Sequence, residues 1–186
     1  LLLSLAYDET LETGIHTANS ANLLAHLGRI SEAVEILTLL AKSEKTSAYV
    51  RLQAIVSLRQ LGVTSGTAAL WLSLAKDASS TTGLGVSVVN QLGELGLEAE
   101  LRAIASSCEY HDQIRLSAAC ELSGLGQTET ALEVLLSLAS KEQAGAGLRR
   151  KAAIELGRLG HIHEAVEALQ ALAQSESETA SSRVEA

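Results

Sequence analysis

The 186-residue sequence lacks proline, methionine and phenylalanine, and aromatic residues make up only 2% of it. Proline is the strongest helix breaker, so its absence leaves long helical runs unobstructed. Two cysteines are too few for a disulfide scaffold, which favours a reducing, cytoplasmic compartment. No apolar run approaches the roughly 18 residues that a membrane-spanning helix needs, so we expect no membrane contact.

Positive charge is scarce as well. The 14 Lys and Arg residues stand against 22 Asp and Glu residues, which gives a net charge of −8 at pH 7. A nucleic-acid partner is not expected, because binding one requires a cationic surface that releases counterions from phosphates. The P-loop pattern G-x-x-x-x-G-K-[ST] is absent from the sequence, which excludes that type of nucleotide site.

The apolar fraction is 47%, enough for a sizeable core, and Leu, Ala, Val and Ile carry most of it. Leu and Ala are strong helix formers, so the composition predicts an all-α protein. A Leu-Gly dipeptide returns at spacings of 34, 34, 30 and 34 residues, and a helix-closing alanine returns in the same phase. Two markers with one period indicate an internal repeat. The pairs are Leu27-Gly28, Leu61-Gly62, Leu95-Gly96, Leu125-Gly126 and Leu159-Gly160, and the alanines are Ala6, Ala41, Ala75, Ala105, Ala139 and Ala173.

Each repeat is predicted to form two helices. In the first helix of a repeat, Ala54, Leu58 and Leu61 share a face, and the glycine that follows suits a left-handed C-terminal cap. The second helix has Ser31 as a candidate N-cap. Neither helix can bury its apolar stripe alone, so neighbouring pairs must stack. We therefore predict a single domain over 1–186, an α-solenoid of about five antiparallel helix pairs, with repeats at approximately 12–44, 47–78, 81–109, 111–142 and 144–177 and partial repeats at both ends.

The third repeat is irregular. Ten residues separate Leu95 from Ala105, against 14 between Leu125 and Ala139, so its second helix should be about one turn shorter. Neither end of the chain has the polar cap that a solenoid normally needs, and the sequence begins with Leu. We therefore expect it to be a fragment of a longer protein.

The repeat resembles the HEAT-like repeats of the phycobilisome-lyase type over nearly the whole chain. The pattern Arg-x-x-Ala-x-x-x-Leu-x-x-Leu-Gly, with Glu-Ala-Val-Glu-x-Leu after a Leu-Gly pair, carries the resemblance. It is found at Arg51, Ala54, Leu58, Leu61 and Gly62, and again at Arg115, Ala118, Leu122, Leu125 and Gly126. Similar arrays form the C-terminal arms of bacterial NACHT-type signalling NTPases. The resemblance implies a non-enzymatic protein-interaction or sensor module, part of a larger multidomain signalling protein.

Other readings stay open. Chromophore lyases share this repeat type, but a bilin lyase-like subunit must hold a linear tetrapyrrole and aromatic residues are scarce here. HEAT-like DNA glycosylases need a basic groove, which the charge of −8 opposes. A tetratricopeptide-like adaptor also has 34-residue units, yet the aromatic positions and closing proline of that family are missing, and the recurring arginine belongs to the HEAT-like pattern.

Few residues suggest chemistry. His161 and His163 lie two apart and do not share a helix face, so no metal site is expected. Cys108 and Cys120 lack a catalytic signature despite the nearby His111, and we expect neither a catalytic residue nor a cofactor. Cys120 and Trp71 occupy positions where other repeats carry core residues. The recurring arginines are predicted to hold repeat junctions through carboxylates or carbonyls, and they are Arg51, Arg115, Arg149 and Arg183.

A line of acidic residues on the polar side of the second helices is the remaining candidate site. In HEAT-like arrays the second helices usually line the concave surface, so the resemblance implies an acidic groove there. Such a groove would attract a basic protein partner through charge complementarity, although a solvated surface that maintains solubility is the alternative. The predicted partner-binding residues are Glu32, Glu35, Glu133, Glu164 and Glu167.

Overall fold

The computed structural model describes residues 11–64, 66–77 and 82–184, and these ranges contain ten α-helices and no β-strand. The prediction of an all-α protein is confirmed for this part of the chain. No helix within it is both long enough and apolar enough to cross a membrane. The helices are α1 (Leu11–His26), α2 (Ile30–Lys42), α3 (Ala48–Gln60), α4 (Thr67–Asp77), α5 (Thr82–Glu94), α6 (Glu98–Ser106), α7 (Asp112–Gly124), α8 (Thr128–Ser140), α9 (Ala146–Arg158) and α10 (Ile162–Val184).

The chain divides into two compact units, Leu1–Val88 and Val89–Ala186. The boundary falls inside α5, in the repeat that the sequence marks as irregular. In the first unit, α1 packs against α2 and α3, and α3 packs against α2 and α4. In the second unit, each helix from α6 to α9 packs against the next, and α8 also packs against α6 and α10. The continuity of one repeat domain over 1–186 stays a prediction, and its partial repeat at residues 1–10 lies outside the described residues.

The Leu-Gly pairs end the first helices as the sequence predicts. The five glycines have φ between +64° and +88°, a left-handed conformation that suits glycine because it has no Cβ. After α1, Arg29 N–H donates to Leu24 O at 2.9 Å and Gly28 N–H donates to Ala25 O at 3.0 Å, which is the Schellman pattern. The leucine three residues before each pair thus has a backbone role as well as a buried side chain.

Two predictions about helix ends have different outcomes. Helix α6 has 9 residues, whereas the second helices α2 and α8 have 13, so the missing turn is confirmed. The prediction of Ser31 as the N-cap of α2 is wrong. That helix begins at Ile30, and its cap residue Arg29 makes no side-chain capping bond. Ser31 lies inside the first turn, because the Schellman turn brings the chain back into helix immediately after Arg29.

The core consists of the apolar positions that recur in each repeat. Leu37 and Leu135 are fully buried, and so is Trp71, the aromatic residue at the same repeat position. The prediction that Trp71 packs in the core is confirmed. Its indole Nε1 has no hydrogen-bond partner among the described residues, which is a cost that the leucines of other repeats avoid.

The last helix differs from the other second helices in length. Helix α10 runs for 23 residues from Ile162 to Val184, without a break at the repeat end predicted near residue 177. The corresponding connections after α2 and α8 turn so that α3 and α9 can pack back against those helices. No described helix follows α10, and its sequence from 162 to 184 contains neither Gly nor Pro to stop it.

Candidate functional site

The recurring arginines join consecutive helices through backbone carbonyls, α2 to α3, α6 to α7 and α8 to α9. The Nε–H of Arg51 donates to Ala41 O at 3.2 Å. The same bond links Arg115 to Ala105 at 3.0 Å and Arg149 to Ala139 at 3.1 Å. Each arginine lies ten residues after the alanine that it binds. The recurring arginine and the helix-closing alanine are therefore the two partners of one hydrogen bond, which satisfies a carbonyl that the end of the second helix leaves unpaired.

The outer nitrogens of these arginines have different surroundings. Arg51 is 5% exposed, and it reaches Asp77 through Nη1 at 2.6 Å and Ser73 through Nη2 at 3.3 Å. Both partners lie on α4. These bonds complete the hydrogen bonding of a buried cation, which would otherwise lose hydration without compensation.

The carboxylate partner of Arg115 lies on its own helix, α7. Its Nη1 contacts Asp112 Oδ1 at 3.2 Å, and Lys141 Nζ lies 2.6 Å from the other oxygen of that carboxylate. Burial raises the pKa of Asp112, but the hydrogen bonds and charges of Lys141 and Arg115 outweigh it and lower the pKa below its ordinary value. Asp112 therefore stays ionised and connects α7 to the end of α8.

The outer nitrogens of Arg149 have no carboxylate partner among the described residues. It is 9% exposed, and its Nε bond to Ala139 O is its only side-chain hydrogen bond among the described residues. Arg149 lines a cleft of about 340 Å³ between α8, α9 and α10, which we call the Arg149 cleft. Its lining comprises Leu136, Ala139, Ser140, Glu142, Arg149, Leu156, Glu164, Glu167, Ala168 and Ala171.

The predicted acidic residues lie in both units. Glu32 and Glu35 are exposed on α2 in the first unit. Arg29 binds Glu32 with both ends of its fork, Nε to Oε1 at 2.7 Å and Nη2 to Oε2 at 2.6 Å. This pair reduces the negative charge that Glu32 can offer to a partner, and the sequence pattern did not indicate it.

In the second unit the structure brings two of the predicted glutamates together. Glu164 and Glu167 both line the Arg149 cleft, whereas Glu133 is exposed on α8, one turn before the cleft residue Leu136. His161 Nδ1 lies 3.5 Å from Glu164, and His163 Nδ1 lies 3.6 Å from Glu167. These contacts become ion pairs only when the imidazoles are protonated.

The surroundings of Glu164 lower its pKa below the ordinary value. A backbone hydrogen bond is the main cause, desolvation opposes it, and His161 and His163 lower the pKa further. The carboxylate is therefore ionised at neutral pH, as a basic partner would require.

A second cleft, of about 400 Å³, lies across the first helices α5, α7 and α9, and we call it the first-helix cleft. It was not predicted, although its polar residues follow helical spacing along α7 and α9. Ile154, 46% exposed, lies among its polar groups. The lining comprises Asn90, Gln113, Leu116, Ser117, Cys120, Glu121, Lys151, Ile154, Glu155 and Arg158.

Cys120 lines the first-helix cleft and is of intermediate exposure. The prediction that it is a core residue is therefore wrong, because this position of α7 faces the cleft. Burial, followed by the charges of Glu155 and Glu121, raises the pKa of the Cys120 thiol to about 11. The thiol therefore stays protonated and is a poor nucleophile at neutral pH. Burial, together with the charge of Glu94, also raises the pKa of Glu121.

Cys108 and His111 are the other residues considered for chemistry. Cys108 is exposed, and His111 caps α7, with its Nδ1 accepting from Gln113 N–H at 3.2 Å. Within the described residues, no group of three or more His, Cys, Asp or Glu side chains could hold a metal ion.

Comparisons of the chain with protein-family models, with curated proteins and with solved structures give no match. The function must therefore be inferred from the surfaces themselves. The Arg149 cleft combines a largely buried arginine whose outer nitrogens contact no carboxylate among the described residues, several apolar residues and three carboxylates. Such an arrangement can recognise charged and apolar groups together.

Proposed function

We propose that this chain is a segment of a HEAT-like α-solenoid, and that it acts as a non-enzymatic protein-interaction or sensor module for a basic partner. Two features support the solenoid. One is the Arg-to-Ala hydrogen bond repeated at three junctions. The other is the packing of helices against both the next helix and the one after it, as at α6, α7 and α8 in the second unit.

The observation that carries the binding function is the composition of the Arg149 cleft. Leu136 is 37% exposed there, and Glu142, Glu164 and Glu167 line the same cleft. An apolar centre with charged residues around it is the usual arrangement of a surface that binds a protein segment. Because three carboxylates accompany one guanidinium, the cleft attracts positive charge.

A pair of synthetic helical peptides tests this proposal. Both have blocked ends and one leucine face, and the polar face carries lysine in one peptide and glutamate in the other. We expect the lysine peptide to bind, as measured by fluorescence anisotropy, and the glutamate peptide not to bind. Because the attraction is electrostatic, the affinity should fall as salt is raised.

Charge-reversed variants locate the binding surface. Glu133→Lys, Glu164→Lys and Glu167→Lys, combined in one protein, should abolish binding of the lysine peptide. The matched control reverses Glu44, Glu100 and Glu109 and so changes the net charge by the same amount. Equal loss of binding in both triple variants would show that the attraction comes from overall charge, and would refute the proposed site.

A further inference from the structure

The three junction arginines form an internal comparison that singles out one of them. All three donate Nε–H to an alanine carbonyl at 3.0–3.2 Å. Arg51 and Arg115 also place an outer nitrogen against a carboxylate, at 2.6 Å and 3.2 Å. The outer nitrogens of Arg149 meet no carboxylate among the described residues, although the residue is only 9% exposed.

The sequence explains why the outer nitrogens of Arg149 contact no carboxylate. We call this arrangement the open fork of Arg149. Asp77 follows Arg51 by 26 residues, and the residue at that distance after Arg149 is Ser175. Asp112 precedes Arg115 by three residues, and the residue three before Arg149 is Ala146. Neither position from which the other repeats supply a carboxylate has one in this repeat.

The space beside Arg149 is open for the same reason. Ser73, which accepts from Arg51, corresponds to Ala171, 22 residues after the arginine in each case. Ala171 lines the Arg149 cleft together with Ala168, so small side chains on α10 leave the volume of about 340 Å³ unfilled. A buried guanidinium beside such a volume is suited to accept a ligand oxygen, because its donors already lie in place.

We propose that the Arg149 cleft accepts an acidic side chain of the partner protein, flanked in that protein by lysine or arginine. This proposal rests on the proposed function and specifies the partner further. The carboxylate would take the place beside Arg149 that Asp77 takes beside Arg51. The flanking basic residues would face Glu142, Glu164 and Glu167, which line the same cleft.

The charge of the cleft explains why basic neighbours are part of the proposal. Three glutamates and one arginine give a local charge of −2 (−3 + 1) with the histidines neutral. A segment with acidic residues alone would be repelled. A segment that presents one carboxylate between cations satisfies both the arginine and the glutamates, so recognition depends on the order of charges.

The test adds one residue to the lysine peptide described above. A third blocked peptide has the same leucine face and lysines, with a single glutamate at the centre of the polar face. We expect this Lys-Glu-Lys peptide to bind about tenfold more tightly than the all-lysine peptide, which corresponds to about 1.4 kcal/mol. The result is read as the ratio of the two dissociation constants, so that general attraction to lysine cancels.

Ser175→Asp is designed to supply the carboxylate partner of Arg149 from within the protein. It adds a carboxylate at the position from which Asp77 completes Arg51, and it does not remove the buried arginine. The gain from the peptide glutamate should fall from tenfold to less than twofold. Gln170→Asp, which adds the same charge at another exposed position on α10, should keep the gain.

Arg149→Gln removes the cation and should also abolish the gain, while Arg150→Gln, at the exposed neighbour, should preserve it. A tenfold gain that persists in folded Ser175→Asp protein overturns the proposal, and so does the absence of a gain in the unmodified protein. If the all-lysine peptide binds and the central glutamate adds nothing, this inference fails while the proposed function stands. If neither lysine-containing peptide binds, both fail.

Discussion

Helices α8 and α10 carry similar apolar patterns in different surroundings. Leu135 and Leu169 lie 34 residues apart at the same repeat position, yet Leu135 is fully buried and Leu169 is 38% exposed. Close neighbours of α8 are α6, α7, α9 and α10, whereas those of α10 among the described residues are α8 and α9. The comparison shows that the repeat pattern specifies which side chains can be buried, and that the neighbouring helices decide which of them are.

The C-terminal ends of α8 and α10 also differ, because only α8 is followed by a described helix that packs against it. Helix α8 ends at Ser140, and the carbonyl of Ala139 near its end accepts a hydrogen bond from Arg149 Nε–H. Helix α10 passes the equivalent Ala173 and continues to Val184. Arg183, predicted to hold a further junction, lies ten residues after Ala173 on the same helix, about 15 Å along its axis. Its side chain lies outside the described residues, so that junction stays a prediction.

The largest expected effect contrasts the two leucines. Leu135→Ala should lower the free energy of unfolding by about 2–5 kcal/mol, because it leaves a cavity in the core. Leu169→Ala should cost less than about 1 kcal/mol, because solvent already reaches that side chain. Urea denaturation followed by circular dichroism measures both. Similar losses would mean that α10 is covered in solution by a neighbour that the described residues do not include.

The next effect contrasts Arg51, whose outer nitrogens contact Asp77 and Ser73, with Arg149, whose outer nitrogens contact no carboxylate among the described residues. Arg51→Gln should cost about 2–3 kcal/mol, because it leaves Ala41 O unpaired and separates Asp77 from its cation. Arg149→Gln should cost about 1 kcal/mol, since it loses only the carbonyl bond. Urea denaturation compares the two variants, with the exposed Arg150→Gln as a control that should change stability little. A loss for Arg149→Gln as large as that for Arg51→Gln would contradict the open fork.

Closing the open fork should stabilise the second unit. We expect Ser175→Asp to raise the free energy of unfolding by about 0.5–1 kcal/mol, through a new and partly exposed ion pair with Arg149. Ser175→Asn, which has nearly the same shape and no charge, should gain less, and so should Ser175→Asp combined with Arg149→Gln. Thermal unfolding of the four proteins shows whether the gain depends on the pair.

The smallest effects concern two carboxylates of α7 whose pKa values shift in opposite directions. The pKa of Asp112 lies below 3.8 in the folded protein, so its stabilising contribution is present above that pH and is lost as the pH falls further. The pKa of Glu121 lies above 4.5, so folding favours its neutral form and stability falls as the pH rises through that range.

Substitutions separate these two contributions. Glu121→Gln should stabilise the protein at pH 7 by a few tenths of a kcal/mol, after allowance for solvent screening, and should have no such effect below pH 4. Asp112→Asn should destabilise it at pH 7 and have progressively less effect in acid. Urea denaturation at a series of pH values checks both directions, and a stabilising effect of Glu121→Gln that is the same at pH 3 and pH 7 would contradict the assignment.

The helices and the repeat junctions could be predicted from the sequence because both depend on local or strictly periodic features. Glycine after leucine ends a helix wherever the left-handed conformation is needed, and Gly28 and Gly126 show this in both units. The junction arginines were predicted to bind carboxylates or carbonyls, and Arg51 binds both. Ser31 was misplaced because the turn before α2 returns to helix earlier than the serine pattern indicates.

The candidate site could be predicted only in part. Glu164 and Glu167 were recognised as acidic residues on a second helix, but nothing local to them indicates Arg149. The pairing of Glu32 with Arg29 was missed because the repeat pattern was compared between helices and not within one turn. The first-helix cleft was missed since its lining comes from three helices that lie far apart along the chain.

The sequence by itself determined the helical class and the Leu-Gly ends of the first helices, and it marked the recurring arginines as residues that hold neighbouring helices together. These features depend on backbone conformation and on a periodic spacing. Only the tertiary structure decided which equivalent residues are buried, as with Leu135 and Leu169, and which arginine keeps an open fork. The physical reason is that burial and charge completion depend on side chains from other helices. A missing carboxylate becomes a binding site only where packing also leaves space beside the cation.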